Sequence, residues 1–334
     1  MPNPRRRFVW EIDWNLLRTF TVIVEEKSLT AAGNRLSLKQ PTISNALRRL
    51  EEHMACRLLD RSSNHFRTTP AGARLYAECR TMFNTVNGLP DLVRDDPDLV
   101  TGHVEAAFAS HIECPFLDRF LADFHKTFPR VSFSTTVSAS QTVIDNVLSG
   151  EACLGICLAQ EKHPELDYTV LYREHFGFFC APGHPLFGKR GTKTADLASL
   201  DYVSFKTDHL GGALAPIARL RQRENFNGHV LGLFTNLEEV KRLIKAGFGF
   251  GPLPIHVVAA DIEARQLWQL PPYENPPAAD VYLVTRRLAR GSRAENLLVD
   301  RLLAATETVP LSDRTYPAGL SDSSGRTTNM TFPE

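Results

Sequence analysis

The chain has 334 residues, 43% of them apolar, with 38 Lys and Arg against 38 Asp and Glu and six cysteines. That length and apolar content suffice for two or more domains with cores of their own, and no apolar run approaches the roughly 18 residues of a membrane span. Six scattered cysteines in a chain this size fit the reduced thiols of a cytosolic protein better than a disulfide framework.

The zero net charge hides an asymmetry. Residues 1–70 hold 12 basic and 7 acidic side chains, a balance of +5, and the remainder hold 26 and 31, a balance of −5. A basic head on an acidic body is the electrostatic footprint of a nucleic-acid-binding module joined to a part that does not bind it.

In chain order, Arg5-Arg6-Arg7 opens a basic arm over residues 1–12. The following "FVWEIDWNLL" carries Glu11 and Asp13 and has no small-residue cleavage site, so it reads as a cytosolic arm and not as a targeting signal. Asp13 caps a first helix in which Leu17, Phe20 and Val24 recur at helical steps. Ser28 or Thr30 caps a second, short helix through Ala31, Ala32 and Leu36, whose alanines admit a close neighbour. "SLKQ" makes a turn. Gln40-Pro41 opens a third helix, with Pro41 in the first turn, where its missing N–H costs nothing. Ile43, Leu47 and Leu50 form its inward stripe, leaving Thr42, Ser44, Asn45, Arg48 and Arg49 outward.

Such a face offers donors and acceptors for base edges and arginines for phosphates. "RLLDRSSNHFRTTPAG" then reads as strand, polar tip and strand, a wing whose Arg61, His65 and Arg67 reach toward backbone or minor groove. From spacing alone, a solvated helical bundle with a charged face is the competing reading, because helix-turn-helix patterns are short.

The stretch from "WNLLRTF" to "TTPAG", and above all "LSLKQPTISNALRRLEE", resembles the winged helix-turn-helix of the LysR-type transcriptional regulators. The resemblance implies that Gln40, Pro41, Ser44 and Asn45 meet double-stranded DNA at an operator, with Arg61 in the wing. Members often carry Arg where this chain has Asn45, which bears on operator preference. The expected head covers residues 13–72.

Thr69-Pro70 starts the next helix. Leu75, Cys79, Met82, Val86 and Leu89 fall in steps of 4, 3, 4 and 3, the seam of a short coiled coil, before Gly88 and Pro90 end it. A helix packed on its own domain is the alternative. In the resembled family this is the linker helix that pairs protomers, here expected with its hinge over residues 73–98.

From about residue 99 the period switches repeatedly. "HVEAAFA", "VSFSTTVS" and "ACLGICL" read as strands, and "CPFLDRFLADFHKTF" and "TVIDNVLSG" as helices. This order predicts a mostly parallel sheet covered by helices. A second set runs from "YREHFGFFCAPGHPL" through "DYVSFK" and "NLEEVKRLIKAGFGFGPLP" to "VYLVT". Two α/β halves with a cleft between them suit a small ligand. The resemblance implies a two-lobed, periplasmic-binding-protein-like effector domain over residues 99–310, with crossovers near 158–171 and 266–273. "GEACLGIC" stands where relatives carry a "GELDLAI"-like run, so Ala152-Cys153-Leu154 departs from that pattern.

Ligands of open α/β sheets gather beyond the carboxyl ends of strands, where helix N-termini aim amides outward. Ser110 and His111 follow the first strand; Ser138, Ser140 and Gln141 follow the second. Lys206 and Thr207 follow "YVSF" on the other lobe. Hydroxyls, helix dipoles and a lysine suit a small organic anion, although each Ser also serves as an ordinary helix cap.

Gly247 to Gly251 follows a helix and does not join a strand to one, so it is no phosphate loop. His111 and Cys114, and Cys153 and Cys157, lack further ligands at metal spacing, so no metal and no cofactor is expected. A thiol-based redox sensor and an enzyme built on the two-lobed body are the rival functions, but no nucleophile elbow or metal triad accompanies the second. Residues 311–334, rich in Ser, Thr, Gly and Pro, read as a disordered tail. The expected class is thus α+β and multidomain: a DNA-binding head, a long linker helix that pairs two copies into a dimer, and an effector body through which, by the resemblance, dimers join into a tetramer, with RNA polymerase as one further candidate partner.

Overall fold

The structure, a computed structural model, describes residues 10–60, 67–87, 89, 100–110, 112–287 and 291–316. It divides in the main into a head up to residue 98 and a body from residue 99. The basic arm before Trp10 lies outside the described residues, as do most of the hinge between 88 and 99 and the tail beyond Tyr316.

In the head, helix α1 (Trp14–Glu26) is capped by Asp13, whose carboxylate accepts from the Asn15 amide at 3.0 Å. Helix α2 (Leu29–Leu36) is capped by Ser28, not Thr30, through the Ala31 amide at 3.3 Å. The turn that follows presses onto α2 at Gly33, where a Cβ would stand 2.8 Å from the Leu38 carbonyl oxygen. Helix α3 (Gln40–Met54) begins with Pro41 in its first turn and buries Ile43, Leu47 and Leu50 completely.

Strand β1 (Leu59–Asp60) pairs antiparallel with β2 (Arg67–Thr68) as the base of the wing. Glu51 of α3 anchors it: its buried carboxylate accepts from the amides of Leu58 at 2.8 Å and Leu59 at 3.3 Å and meets Arg57 at 3.0 Å.

Helix α4 (Pro70–Asn87) departs from the expected seam. Cys79 is fully buried in the head's own apolar core beside Tyr76, and Leu75 and Met82 pack against that core half-buried. The head's core therefore runs past residue 72 into α4. Only Val86 and Leu89, 49% and 47% exposed, remain as a bare apolar pair. The 4-3-4-3 spacing marks one helix face without saying which partner covers it, and here the head claims the first part.

The body starts with strand β3 (Gly102–Ala109), helix α5 (Pro115–Thr127), strand β4 (Val131–Ser138), helix α6 (Ser140–Ser149) and strand β5 (Leu154–Leu158). Both β4 and β5 pair parallel to β3. Strand β6 (Leu166–Cys180) is then shared between the lobes. Its residues 166–175 pair with β11 (Ala278–Arg286), which also pairs with β5. Its far end pairs with β9 (Gly251–Pro254) and β10 (Trp268–Leu270).

The second lobe adds β7 (Tyr202–Phe205) parallel to β8 (Val230–Phe234), with helices α7 (Ala215–Arg223) and α8 (Leu237–Lys245), and the short α9 (Ala259–Glu263). Gly249, at φ 108°, belongs to this packing: a Cβ there would stand 2.1 Å from the Asp201 carbonyl oxygen, so the glycine run leads from α8 into β9 pressed against the backbone just before β7. Helix α10 (Arg293–Thr308) closes the fold.

Three expectations for the body change. The first crossover is not at 158–171; β6 passes from one lobe to the other near Arg173–Phe176, as one continuous strand with no turn residue to mark the passage. The return lies between β10 and β11, at 271–277 and not 266–273. The tail is ordered at its start, where residues 311–314 form a single 3-10 turn. There Arg314 is buried, donating to the carbonyls of Val309 at 3.0 Å, Val170 at 2.7 Å, Thr306 at 2.9 Å and Leu171. A guanidinium with five donors satisfies carbonyls that composition alone cannot foresee.

Candidate functional site

On α3, Gln40, Pro41, Thr42, Asn45, Arg48 and Arg49 are exposed and Ser44 is half-buried, all outside the buried stripe. Arg48 lies 3.8 Å from Glu52 with both side chains about two-thirds exposed, a weak and screened pair that a phosphate can displace. Arg49 sits 3.7 Å from Asp13, tying α3 to the cap of α1. Arg67 is exposed on β2, while Arg61 and His65 lie outside the described residues. The wing anchor Glu51 was missed in sequence; its only signal is a position beside Leu50 on the inward side of α3.

Of the predicted cleft residues, Ser110 follows β3 and Ser138 ends β4, at neighbouring strand ends because Ala109 pairs with Ser138. His111 lies outside the described residues. Ser138 Oγ is buried and makes no hydrogen bond among the described residues. Ser140 opens α6 and is half-buried. Gln141 differs from expectation: it is exposed and its amide donates to Asp145 at 3.0 Å along the helix, so a satisfied surface pair holds it.

Lys206 and Thr207 are exposed in the second lobe, on a loop that polar groups beneath it hold in place. Asp208 is buried, accepts from Ser204 Oγ at 2.5 Å and meets Arg221 at 3.0 Å; Arg221 also donates to the Tyr202 hydroxyl.

The N-terminus of α5, beside Ser110, is already served by the chain itself. The Phe116 amide donates to the Tyr316 hydroxyl at 3.3 Å, and that hydroxyl donates to Cys114 Sγ at 3.4 Å. The Tyr316 ring stacks on His256 with centroids 4.7 Å apart. His256 Nε2 donates to the Glu113 carbonyl at 3.1 Å, and burial holds its imidazole below the ordinary range, hence neutral. His175 Nδ1 donates to the Tyr316 carbonyl at 2.9 Å. Residues of both lobes and of β6 thus meet at Tyr316.

A hollow of about 200 Å3 opens elsewhere between the lobes, bounded by Gln160 after β5, Arg173 and Asp280 on the crossover strands, and Pro216 and Arg219 of α7. Arg173 binds Asp280 through two bonds of 2.6 and 3.1 Å, and Arg219 is exposed and makes no ion pair among the described residues. None of the predicted cleft residues lines this hollow. Sequence reasoning missed it because its walls come from four distant segments.

All six cysteines are free thiols. Burial pushes the thiols of Cys157 and Cys180 up to about 12 and that of Cys79 to about 11, and raises Cys114 and Cys153 as well. A redox sensor needs a thiolate, and these environments disfavour one. Among the described residues no group of three or more His, Cys, Asp and Glu side chains could hold a metal ion, and no helix is long and apolar enough to cross a membrane.

The chain is 26% identical to the transcriptional activator BauR of Pseudomonas aeruginosa over 91% of its own length and 97% of that protein's. Among solved structures, ArgP of Mycobacterium tuberculosis superposes with a TM-score of 0.68 at 16% identity, covering 88% of this chain and 97% of that one. Full-length LysG of Corynebacterium glutamicum, with bound effector arginine, does so at 0.63 and 17%, over 89% and 99%. Residues 14–73 match the bacterial regulatory helix-turn-helix of the lysR family, and residues 97–307 match the LysR substrate-binding domain. A helix-turn-helix with an outward polar face and a two-lobed body are therefore joined here as they are in that family: the chain belongs to the LysR-type transcriptional regulators, DNA-binding proteins and not enzymes.

Proposed function

We propose that this regulator acts in the cytoplasm, reads its operator through Gln40, Ser44 and Asn45, and is switched by a small organic anion held between the lobes of its body. The observation that carries the effector reading is the start of α6. Ser140 stands at its first position, and Ser138 Oγ, two residues earlier, is buried without a hydrogen-bond partner among the described residues. A carboxylate there gains from the helix dipole and from each hydroxyl, at about 1.5–3 kcal/mol per hydrogen bond to a charged group, whereas a neutral sugar gains little from the dipole. At the 200 Å3 hollow, Arg219 is exposed and supplies positive charge for an acidic group, whereas Arg173 there is already paired with Asp280. A ligand shifts the protein only by binding its arrangements differently, and a site with walls on both lobes provides that difference.

Pairing follows from the bare apolar residues: Val86 near the end of the linker helix and Leu89 just beyond it join heads into a dimer. The exposed strands β4, with Phe133 and Val137, and β8, with Val230, Leu231 and Leu233, join bodies into a tetramer. Calorimetry with small carboxylates, phosphates and neutral polyols tests the effector. A carboxylate should bind, and Ser140→Ala should lose that binding and the DNA response while still binding the operator. A neutral or cationic ligand bound equally well by Ser140→Ala would sink the proposal.

A further inference from the structure

In the first lobe, Ala106 and Phe108 of β3 and Leu154 and Ile156 of β5 point to the side of the sheet opposite α6. Between them Gly155 faces Val143 and Val147 of that helix. Helices α5 and α10 cover this face. They do not fill it. A cavity of about 170 Å3 lies between the sheet, Leu117 and Leu121 of α5, and Leu298 and Leu302 of α10.

Its origin is one small side chain. Ala106 sits between Thr135 and Leu154 in register, so a methyl group stands where the neighbouring strands carry more. His125 and Thr135 are the only lining side chains with a polar atom, and both are exposed, as is Phe133 at the edge strand.

Protein interiors contain few voids larger than a water molecule. An apolar cavity of about 150 Å3 lined by Leu, Ile and Phe stays dry and binds benzene, because water finds no partners there. The hollow here has that size and an apolar lining of the same kind. It is closed by the sheet and the two helices and open at its rim, where Phe133, His125 and Thr135 are exposed. Phe108 and Phe133 add ring edges and faces for aromatic contact. We propose that it is a second ligand site, separate from the inter-lobe cleft, for an uncharged monocyclic aromatic molecule. A single hydroxyl on that ring would meet His125 or Thr135 at the rim, and a charge carried inside would find no partner.

The test uses the full-length protein with toluene and p-cresol as probes, read by saturation-transfer NMR and by thermal melting. Both probes should bind saturably and raise the melting temperature. Ala106→Ile fills the void from the sheet and should weaken binding by at least about tenfold, since the added volume excludes the ring. Leu121→Phe fills it from the half-buried face of α5 and should do the same, which keeps the question open to an answer if the first variant misfolds. Ser140→Ala should bind both probes as the parent does. Absence of saturable binding, undiminished binding by a folded filling variant, or loss of binding in Ser140→Ala would each overturn the site.

Discussion

Glu174 shows what one side chain can impose on the molecule. It is fully buried on β6, just past Arg173 where the lobes exchange the chain, and burial pushes its carboxyl up to about 8. Between about 4.5 and 8 the folded protein holds a proton there that the unfolded chain has released. A group raised in this way stabilises most below its unfolded value, and that stability is lost as pH rises through the window, at roughly 1.4 kcal/mol per pH unit. Glu174→Gln removes the titration. The expected outcome is a variant whose denaturant midpoint, relative to wild type, improves steadily from pH 5 to pH 8. Equal midpoints at both ends of that range would show that the carboxyl is not held neutral. His256 has the opposite sign: its imidazole is kept below the ordinary range, so acidification past that range favours the unfolded chain, which takes up the proton more readily.

The elements divide by how local their causes are. Helices α1 to α3 and their caps follow from residues a few positions apart, and the outward face of α3 was legible because Ile43, Leu47 and Leu50 leave only one other side. The linker helix was legible as a helix and misleading as an interface. Its spacing is the same whether a second protomer or the head covers it, and Cys79 lies inside the head. The proposed pairing therefore rests on Val86, near the end of α4, and on Leu89 just beyond it. Val86→Glu should halve the sedimenting mass of the dimer while leaving the melting temperature of the head unchanged, because nothing in the head's core is touched. Unchanged mass would remove this end of the helix from the interface. Strand β6 and the Tyr316 junction were not legible for the complementary reason. Their contacts join residues far apart in the chain, Tyr316 to Phe116 and Arg314 to Val170, and no window of sequence contains both partners.

Along the chain, the +5 of residues 1–70 against the −5 of the remainder concentrates the attraction for phosphates in the N-terminal part. Two kinds of head variant should then separate. Gln40→Ala, at a base-reading position, should cost about 1–3 kcal/mol on the operator and little on unrelated DNA. Arg48→Ala should weaken binding to every sequence and flatten the dependence of affinity on salt by about one counterion. Titrations on operator and scrambled duplexes at several salt concentrations distinguish them, and identical behaviour of the two variants would misplace the recognition face. The body carries a consequence of another kind in its strand order. In the first lobe β11 lies between β6 and β5, so the central position of the sheet is taken by one of the last segments of the body to be synthesised. Until residues 278–286 emerge from the ribosome, β5 and β6 present two open edges to whatever else is nearby, and unpaired edges are templates for aggregation. The nascent body is thus in greatest need of chaperone protection just before its completion, and a premature stop ahead of β11 would leave an aggregating fragment in place of a smaller folded one.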